Sequence, residues 1–161
     1  MKNLVLVRHA KSSWEDQLND IDRPLDSRGI SDAQLVAIHT LESLPSSYMI
    51  LSSIARRARE TALLFAKYYN YPSDHIQYME SLYTFDETAL ERTIRLLDSS
   101  YNNVILFGHN EAITNFVNKF GDIFIPNVPT AGFVSIHFDE DDWQTISAGK
   151  TVQFSIPKDL K

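Results

Sequence analysis

Two histidines and two arginines lie at or just after the ends of apolar runs in this chain, and their side chains are suited to phosphoryl chemistry. Arg8 and His9 come at the end of the first run, His109 follows another, and Arg57 comes shortly after a third. A neutral imidazole is a good nucleophile towards phosphorus. A guanidinium holds phosphate oxygens with a planar fork of N–H donors. The alternative is that these strands simply end in polar residues.

The three apolar runs, residues 3–8, 48–52 and 103–108, predict buried strands of a parallel sheet. In open α/β sheets, ligands bind at the carboxyl ends of the strands. Because the candidate residues all follow strand ends, we expect their side chains to converge on one point.

Four stretches with apolar residues at helical spacing accompany these strands. The apolar positions of the first are Ile30, Ala33, Ala37, Ile38, Leu41 and Leu44, with Asp26 or Ser31 as alternative N-caps. The other three stretches lie around residues 58–69, 90–97 and 113–120, with Asp86 placed to cap the third and Gly121 to end the fourth.

The last part of the chain, residues 132–156, alternates in a way that predicts two or three short antiparallel strands. We therefore expect an α/β fold, a three-layer α/β/α arrangement with a mostly parallel central sheet and antiparallel edge strands near the C-terminus. A length of 161 residues suits one domain that spans residues 1–161.

The composition limits the kinds of binding partner and the cellular location that we expect. The 15 basic and 21 acidic residues give a formal net charge of −6, which argues against nucleic acid or an anionic membrane as the partner. The chain has no cysteine, so disulfides, a cysteine nucleophile and a thiolate metal site are excluded. Without a signal-peptide pattern or a long apolar stretch, we expect a cytoplasmic protein, and we expect it to be a monomer.

A site that surrounds one imidazole with cations favours phosphoryl transfer. Positive charge on Arg8 and Arg57 disfavours protonation of His9, and only the neutral imidazole can attack. The same charges stabilise the equatorial oxygens of the transferring group. No acidic cluster is placed to hold Mg²⁺, so we expect arginine to take the place of a metal and no cofactor to be needed. A metal site built on His9 and His109 is a weaker alternative, because no carboxylate pattern completes a ligand set.

The order and spacing of six motifs make the chain resemble the histidine phosphatase superfamily, and within it the short branch of SixA-like phosphohistidine phosphatases. The motifs span nearly the whole chain and are residues 8–14, 22–25 with 28–29, 53–61, 108–110, 129–132 and 154–158. The resemblance implies that His9 becomes phosphorylated and that Arg8 and Arg57 bind the phosphate. It also implies that His109 contacts the phosphate and stabilises the transition state.

Two further residues are candidates for the phosphate pocket. Arg23 corresponds to an additional arginine near the pocket mouth of the family, or it is a loop residue paired with Asp20 or Asp22. Ser12 can offer its hydroxyl or its backbone N–H to phosphate, and a bond within the loop turn is the alternative.

The chain departs from the family pattern at two places. Ile54 follows Ser53 where the family usually has proline, and Glu111-Ala112 replaces Pro-Gly after the second histidine motif. Glu111 would lie in the first turn of a helix close to the phosphate, where it either lowers phosphate affinity or points to solvent.

A proton donor for the leaving group is not evident in the sequence. Glu80 lies in the appropriate stretch between the second and third helical patterns, and a surface carboxylate is the alternative. Lack of a strong acid favours phosphohistidine, because its P–N bond breaks without forming a high-energy alkoxide.

We therefore expect a metal-independent phosphatase that works through a phosphohistidine enzyme intermediate on a phosphorylated protein. A general phosphomonoesterase for small phosphorylated molecules and a weakly catalytic phosphate-binding module are the alternatives.

Overall fold

The computed structural model describes residues 1–161 and contains one six-stranded sheet with helices against both faces. The strands are β1 (Lys2–Arg8), β2 (Met49–Ser53), β3 (Gln77–Met79), β4 (Asn103–Gly108), β5 (Phe133–Phe138) and β6 (Lys150–Ser155). They lie in the order β3-β2-β4-β1-β5-β6. The first four in this order are parallel, while β5 is antiparallel to β1 and β6 is antiparallel to β5. The expected mostly parallel sheet with antiparallel C-terminal edge strands is confirmed.

Four helices cover the sheet, namely α1 (Ser27–Thr40), α2 (Arg56–Tyr69), α3 (Glu87–Arg95) and α4 (Ala112–Phe120). Alternate residues of β1 and β4 point to opposite faces, as strand geometry requires. Val5 and Phe107 pack in the core with α1 and α2. Leu4 and Leu106 pack in a separate core with α3 and α4. The three layers follow from strands that are apolar on both faces.

The buried face of α1 differs from the prediction, because Ile30, Ile38 and Leu41 are exposed. The predicted Ala33 and Ala37 are buried on this face, and Gly29 and Val36 complete it. A Cβ on Gly29 would lie 2.1 Å from the carbonyl oxygen of Lys11, so the helix approaches that loop more closely than a branched side chain allows. The side chains of Ile30 and Ile38 are directed away from the core.

Helix ends follow the predicted caps. The Asp26 carboxylate accepts the N–H of Gly29 and caps α1, so Ser31 is not the cap. Asp86 accepts the N–H of Ala89 and caps α3, and Gly121 ends α4. None of the helices has the length and hydrophobicity that a membrane span requires.

Strand β3 is not predicted by the sequence, because it has only three residues, of which Gln77 and Tyr78 are exposed, and so carries no strand pattern. It pairs in parallel with β2, from Leu51 opposite Gln77 to Ser53 opposite Met79. This pairing brings the segment that follows β3 to the carboxyl edge of the sheet, where the candidate residues lie.

Candidate active site

Neighbouring parallel strands place the two candidate histidines side by side. Arg8 of β1 lies opposite Gly108 of β4, and the next residue on each strand is a histidine. The N–H of His9 donates to the Gly108 carbonyl at 3.0 Å, and the ring centroids of His9 and His109 are 5.3 Å apart. The predicted convergence of these strand ends is thus present in the structure. Gly108 itself is not needed for a close approach, since an added Cβ would meet its nearest neighbour at 3.7 Å.

His9 is held with one nitrogen free for attack. Its Nδ1 lies 2.7 Å from the Ala10 carbonyl, which can only accept, so Nδ1 carries the proton. The unprotonated Nε2 then faces the Nε–H of Arg57 at 3.4 Å. Burial, together with the charges of Arg57, Arg8 and Arg23, lowers the pKa of His9 to about 3. The imidazole is therefore neutral at pH 7, which is the form that can attack phosphorus.

His109 is supported from the opposite side of the site. Its Nε2 lies 2.8 Å from the hydroxyl oxygen of Ser53, and the N–H of Ala55 donates to the same oxygen at 3.2 Å. With that oxygen accepting from Ala55, the Ser53 proton is available for Nε2 of His109. The remaining nitrogen, Nδ1, lies 3.4 Å from Nη2 of Arg57, and the ring itself is buried behind the pocket wall. Burial and the charges of His9 and Arg57 lower the pKa of His109 to about 3.

Arg57 lies in the first turn of α2 and is 2% exposed. Thr61, one turn later, donates from its hydroxyl to the Arg57 carbonyl at 2.7 Å. The same hydroxyl oxygen accepts the N–H of Ala10 at 3.0 Å, which ties the loop after His9 to α2. Arg56 and Arg59, in the same turn of the helix, are exposed.

Buried guanidinium nitrogens without partners surround the histidines. Nε of Arg8 and both Nε and Nη1 of Arg23 are buried and make no hydrogen bond. A buried donor without an acceptor costs about 1–3 kcal/mol, and more when it is charged. An anion in the pocket would satisfy these donors, which is the arrangement expected of a phosphate site.

Arg23 lies both at the pocket and beside an aspartate of its own loop, so both predicted alternatives apply to it. It lines the pocket, and its Nε lies 3.6 Å from Oδ1 of Asp20. Of the two aspartates considered as partners, Asp20 is the one in contact. The guanidinium also stacks on Trp14, with Cζ 3.4 Å from the ring centroid.

The pocket at this edge of the sheet has a volume of about 290 Å³. Its walls consist of Arg8, His9, Lys11, Ser12, Trp14, Asp20, Arg23, Arg57, Phe85, Asn110 and Thr130. The His109 ring packs against Phe85 at a centroid distance of 5.4 Å. The pocket is thus cationic at its base and carries two aromatic side chains, Trp14 and Phe85. No group of three or more His, Cys, Asp or Glu side chains is arranged to hold a metal ion.

Residues 4–83 match the family model of the histidine phosphatase superfamily, branch 1. The chain belongs to the histidine phosphatase superfamily. Among proteins, it is 33% identical over 135 residues to an uncharacterized chloroplastic protein of Arabidopsis thaliana, covering 81% of this chain and 53% of that protein. The chain thus spans about half the length of this relative.

Solved structures of histidine phosphatases share the fold. A structure of the protein histidine phosphatase SixA complexed with tungstate superposes with a TM-score of 0.82 at 20% identity, covering 99% of both chains. A mycobacterial glucosyl-3-phosphoglycerate phosphatase superposes with a TM-score of 0.65 at 14% identity, covering 97% of this chain and 98% of that one. The phosphoglycerate mutase-like fold of the superfamily is therefore that of this chain.

Of the remaining predicted residues, Ser12 lines the pocket and Glu80 does not. Glu80 is exposed on the short 3-10 helix that follows β3, with its carboxylate outside the pocket wall. Glu111 precedes α4, is exposed and also lies outside the pocket wall. Burial lowers the pKa of Arg8, and the negative charge of Glu111 opposes this lowering. The carboxylate that does reach the pocket is Asp20.

The sequence assigns no role to Ser53, Thr61 or Tyr83, and it suggests Asp20 only as a partner of Arg23. Ser53 and Thr61 lie within the motif at residues 53–61, but the motif alone does not indicate which contacts they make. Asp20 lies between β1 and α1, and Tyr83 lies between β3 and α3. Neither residue belongs to a sequence motif with a distinctive spacing. Only the folded chain joins them, through a hydrogen bond from the Tyr83 hydroxyl to the Asp20 carboxylate.

Proposed function

We propose that this protein is a phosphatase that hydrolyses phosphohistidine on a protein substrate through a phosphorylated His9. The observation that carries the proposal is the neutral His9 imidazole, with Nδ1 bonded to Ala10 and Nε2 turned to a cluster of buried guanidinium donors. Such a cluster can bind a phosphoryl group and leave its phosphorus in line with Nε2.

The first step forms a bond from His9 Nε2 to phosphorus and breaks the bond from phosphorus to the substrate nitrogen. The leaving imidazole takes the electron pair and departs as a neutral molecule, with the proton that its other ring nitrogen already carries. Arg8, Arg57 and His109 stabilise the charge on the equatorial oxygens. In the second step, water attacks phosphorus, the electron pair returns to Nε2, and inorganic phosphate is released.

A substrate with a weakly basic leaving group suits this pocket. Partial burial raises the pKa of Asp20, but the hydrogen bonds from Tyr83 and Arg57 outweigh it and keep the pKa below its ordinary value. The carboxylate at the pocket is therefore ionised and is not a proton donor at pH 7. An alkoxide would need such a donor, whereas an imidazole does not. The aromatic rings of Trp14 and Phe85 in the pocket wall suit a planar leaving group.

The test is a substrate panel with purified protein. We expect phosphate release from a histidine peptide that has been phosphorylated with phosphoramidate, at a higher kcat/KM than from p-nitrophenyl phosphate or 3-phosphoglycerate. Acid-labile ³²P on the enzyme should be trapped in the wild type and be absent from His9→Ala. Much faster cleavage of the two phosphate esters would instead indicate a general phosphomonoesterase, and tight phosphate binding without turnover would indicate a binding module.

Two arginine variants on α2 test whether a loss of activity is specific to Arg57. Arg57→Ala should lower kcat/KM by at least about 100-fold, since a buried donor to the transferring group is removed. Arg59→Ala changes the same charge on an exposed position of the same helix and should leave kcat/KM within about twofold. Equal effects of the two variants would contradict the proposed role of Arg57.

A further inference from the structure

Asp20 holds one edge of the Arg57 guanidinium. It lies on a short 3-10 helix, Asp20–Asp22, in the loop between β1 and α1. Nη1 of Arg57 donates to the backbone carbonyl of Asp20 at 2.7 Å, and Nη2 donates to its Oδ2 at 3.0 Å. One residue thus accepts from both terminal nitrogens of the guanidinium.

The other edge of Arg57 faces the two histidines. Nε lies 3.4 Å from Nε2 of His9, and Nη2 lies 3.4 Å from Nδ1 of His109. The contact with His9 is long for a hydrogen bond, which is usually about 2.9 Å. The contact with His109 brings two donors together, because Nδ1 carries the proton when Nε2 accepts from Ser53. The Nε and Nη2 donors of this edge are parallel and can bind two oxygens of one phosphate in place of these contacts.

Asp20 is itself held by side chains from other parts of the chain. The Tyr83 hydroxyl donates to Oδ2 from the segment after β3, and Arg23 Nε lies 3.6 Å from Oδ1. The carboxylate is 45% exposed, so water screens its repulsion of a bound phosphate. Its hydrogen bonds to the buried Arg57, in contrast, fix the rotation of the guanidinium directly.

We propose that Asp20 is a positioning residue that orients Arg57, so that the Nε–Nη2 edge of the guanidinium is presented to the phosphoryl group. Tyr83 fixes Asp20 in turn. This inference rests on the proposed function only in placing a phosphoryl group next to His9. Electrostatics alone predicts the opposite result, since removal of a carboxylate from an anion site would strengthen anion binding.

The experiment measures tungstate affinity by calorimetry in four proteins, which separates positioning from charge. Asp20→Ala removes the carboxylate, whereas Asp20→Asn keeps an oxygen that can accept from Nη2 of Arg57. Asp22→Ala is the matched control, because Asp22 is an exposed aspartate of the same short helix without a side-chain partner. We expect the tungstate Kd to rise about tenfold in Asp20→Ala and to stay within about threefold of wild type in Asp20→Asn and Asp22→Ala.

Tungstate binding by Asp20→Ala that equals or exceeds wild-type binding would overturn the inference, as would equal losses in both Asp20 variants. If Asp20→Ala does not fold, Tyr83→Phe provides the second variant. It should weaken tungstate binding by about twofold to fivefold, and unchanged affinity there would also count against the inference.

Turnover distinguishes this inference from the proposed function. Asp20→Asn should keep kcat on the phosphorylated histidine peptide within about threefold, because no proton is taken from Asp20. Loss of kcat with tungstate binding intact would make Asp20 a proton donor and contradict a positioning role. Absence of phosphohistidine hydrolysis by the wild type, with the expected order of tungstate affinities, would refute the function and leave the inference standing.

Discussion

The hydroxyl oxygen of Ser53 lies 2.8 Å from Nε2 of His109 and also accepts the N–H of Ala55. A serine at the end of β2 therefore sets the orientation of a histidine that follows β4. With Nε2 engaged, Nδ1 is the nitrogen that faces Arg57. The hydrogen bond links the two strand ends at the point where a phosphoryl oxygen would be bound.

Removal of this hydroxyl should impair turnover more than folding. We expect Ser53→Ala to lower kcat by about 10-fold to 100-fold, the usual cost of losing a residue that orients a functional histidine. Ser52→Ala is the control, because Ser52 is equally buried and its hydroxyl donates only to a backbone carbonyl. Steady-state kinetics and thermal melts of both variants separate the effects. A similar kcat in the two variants would show that the hydrogen bond to His109 has no catalytic role.

The two buried imidazoles should make the protein less stable in mild acid. Burial lowers the pKa of both His9 and His109 to about 3, below the value of about 6.5 for an unfolded chain. Between these values the unfolded state binds more protons, so this stability is full above pH 6.5 and is lost as the pH falls towards 3. Each histidine should cost about 2 kcal/mol between pH 7 and pH 5.

The His9→Gln variant isolates this effect. Urea unfolding at pH 7 and pH 5 should show a loss of stability that is smaller in the variant by about 2 kcal/mol, because one of the two imidazoles is gone. Carboxylates that titrate in the same range contribute to both proteins and cancel in the comparison. The same pH 7 to pH 5 difference in both proteins would mean that His9 protonates in the folded state.

The contact between α1 and the loop after His9 should not tolerate a methyl group. A Cβ on Gly29 would lie 2.1 Å from the Lys11 carbonyl oxygen, so Gly29→Ala must displace the loop or the helix. We expect a loss of about 1–3 kcal/mol and a fall in Tm of several degrees. Gly108→Ala, whose Cβ would meet nothing closer than 3.7 Å, is the comparison and should be less destabilising. A lower Tm for Gly108→Ala than for Gly29→Ala would contradict the close contact between Gly29 and Lys11.

The sequence predicted the parts of the fold that rest on strong periodicity. The apolar runs of β1, β2 and β4 and the caps at Asp26 and Asp86 were identified because each has a local physical cause. The pattern in α1 identifies the buried Ala33 and Ala37 but not the exposure of Ile30, because apolarity by itself predicts burial. Close packing there selects small residues, which a count of large apolar side chains overlooks.

The candidate site was predicted to a similar extent. Chemistry and position together single out four residues near strand ends, and the structure brings His9, Arg57 and His109 into contact beside Arg8. Asp20 was considered only as a partner of Arg23, since a single acidic residue in a polar loop has many uses. Its contact with Arg57 depends on how the loop folds back over α2, which no local pattern encodes.

Arg23 should contribute to anion binding beyond the loop contact. Its Nε and Nη1 are buried without hydrogen bonds, although Nε lies 3.6 Å from Asp20, so a bound anion would offer acceptors to both nitrogens. A hydrogen bond between charged groups contributes about 1.5–3 kcal/mol, so Arg23→Ala should weaken tungstate binding by about 10-fold to 100-fold. Arg28→Ala is the control, because Arg28 is 67% exposed on α1 and pairs only with Asp32. If Arg23→Ala and Arg28→Ala bind tungstate equally well, the unpartnered nitrogens of Arg23 do not serve the anion.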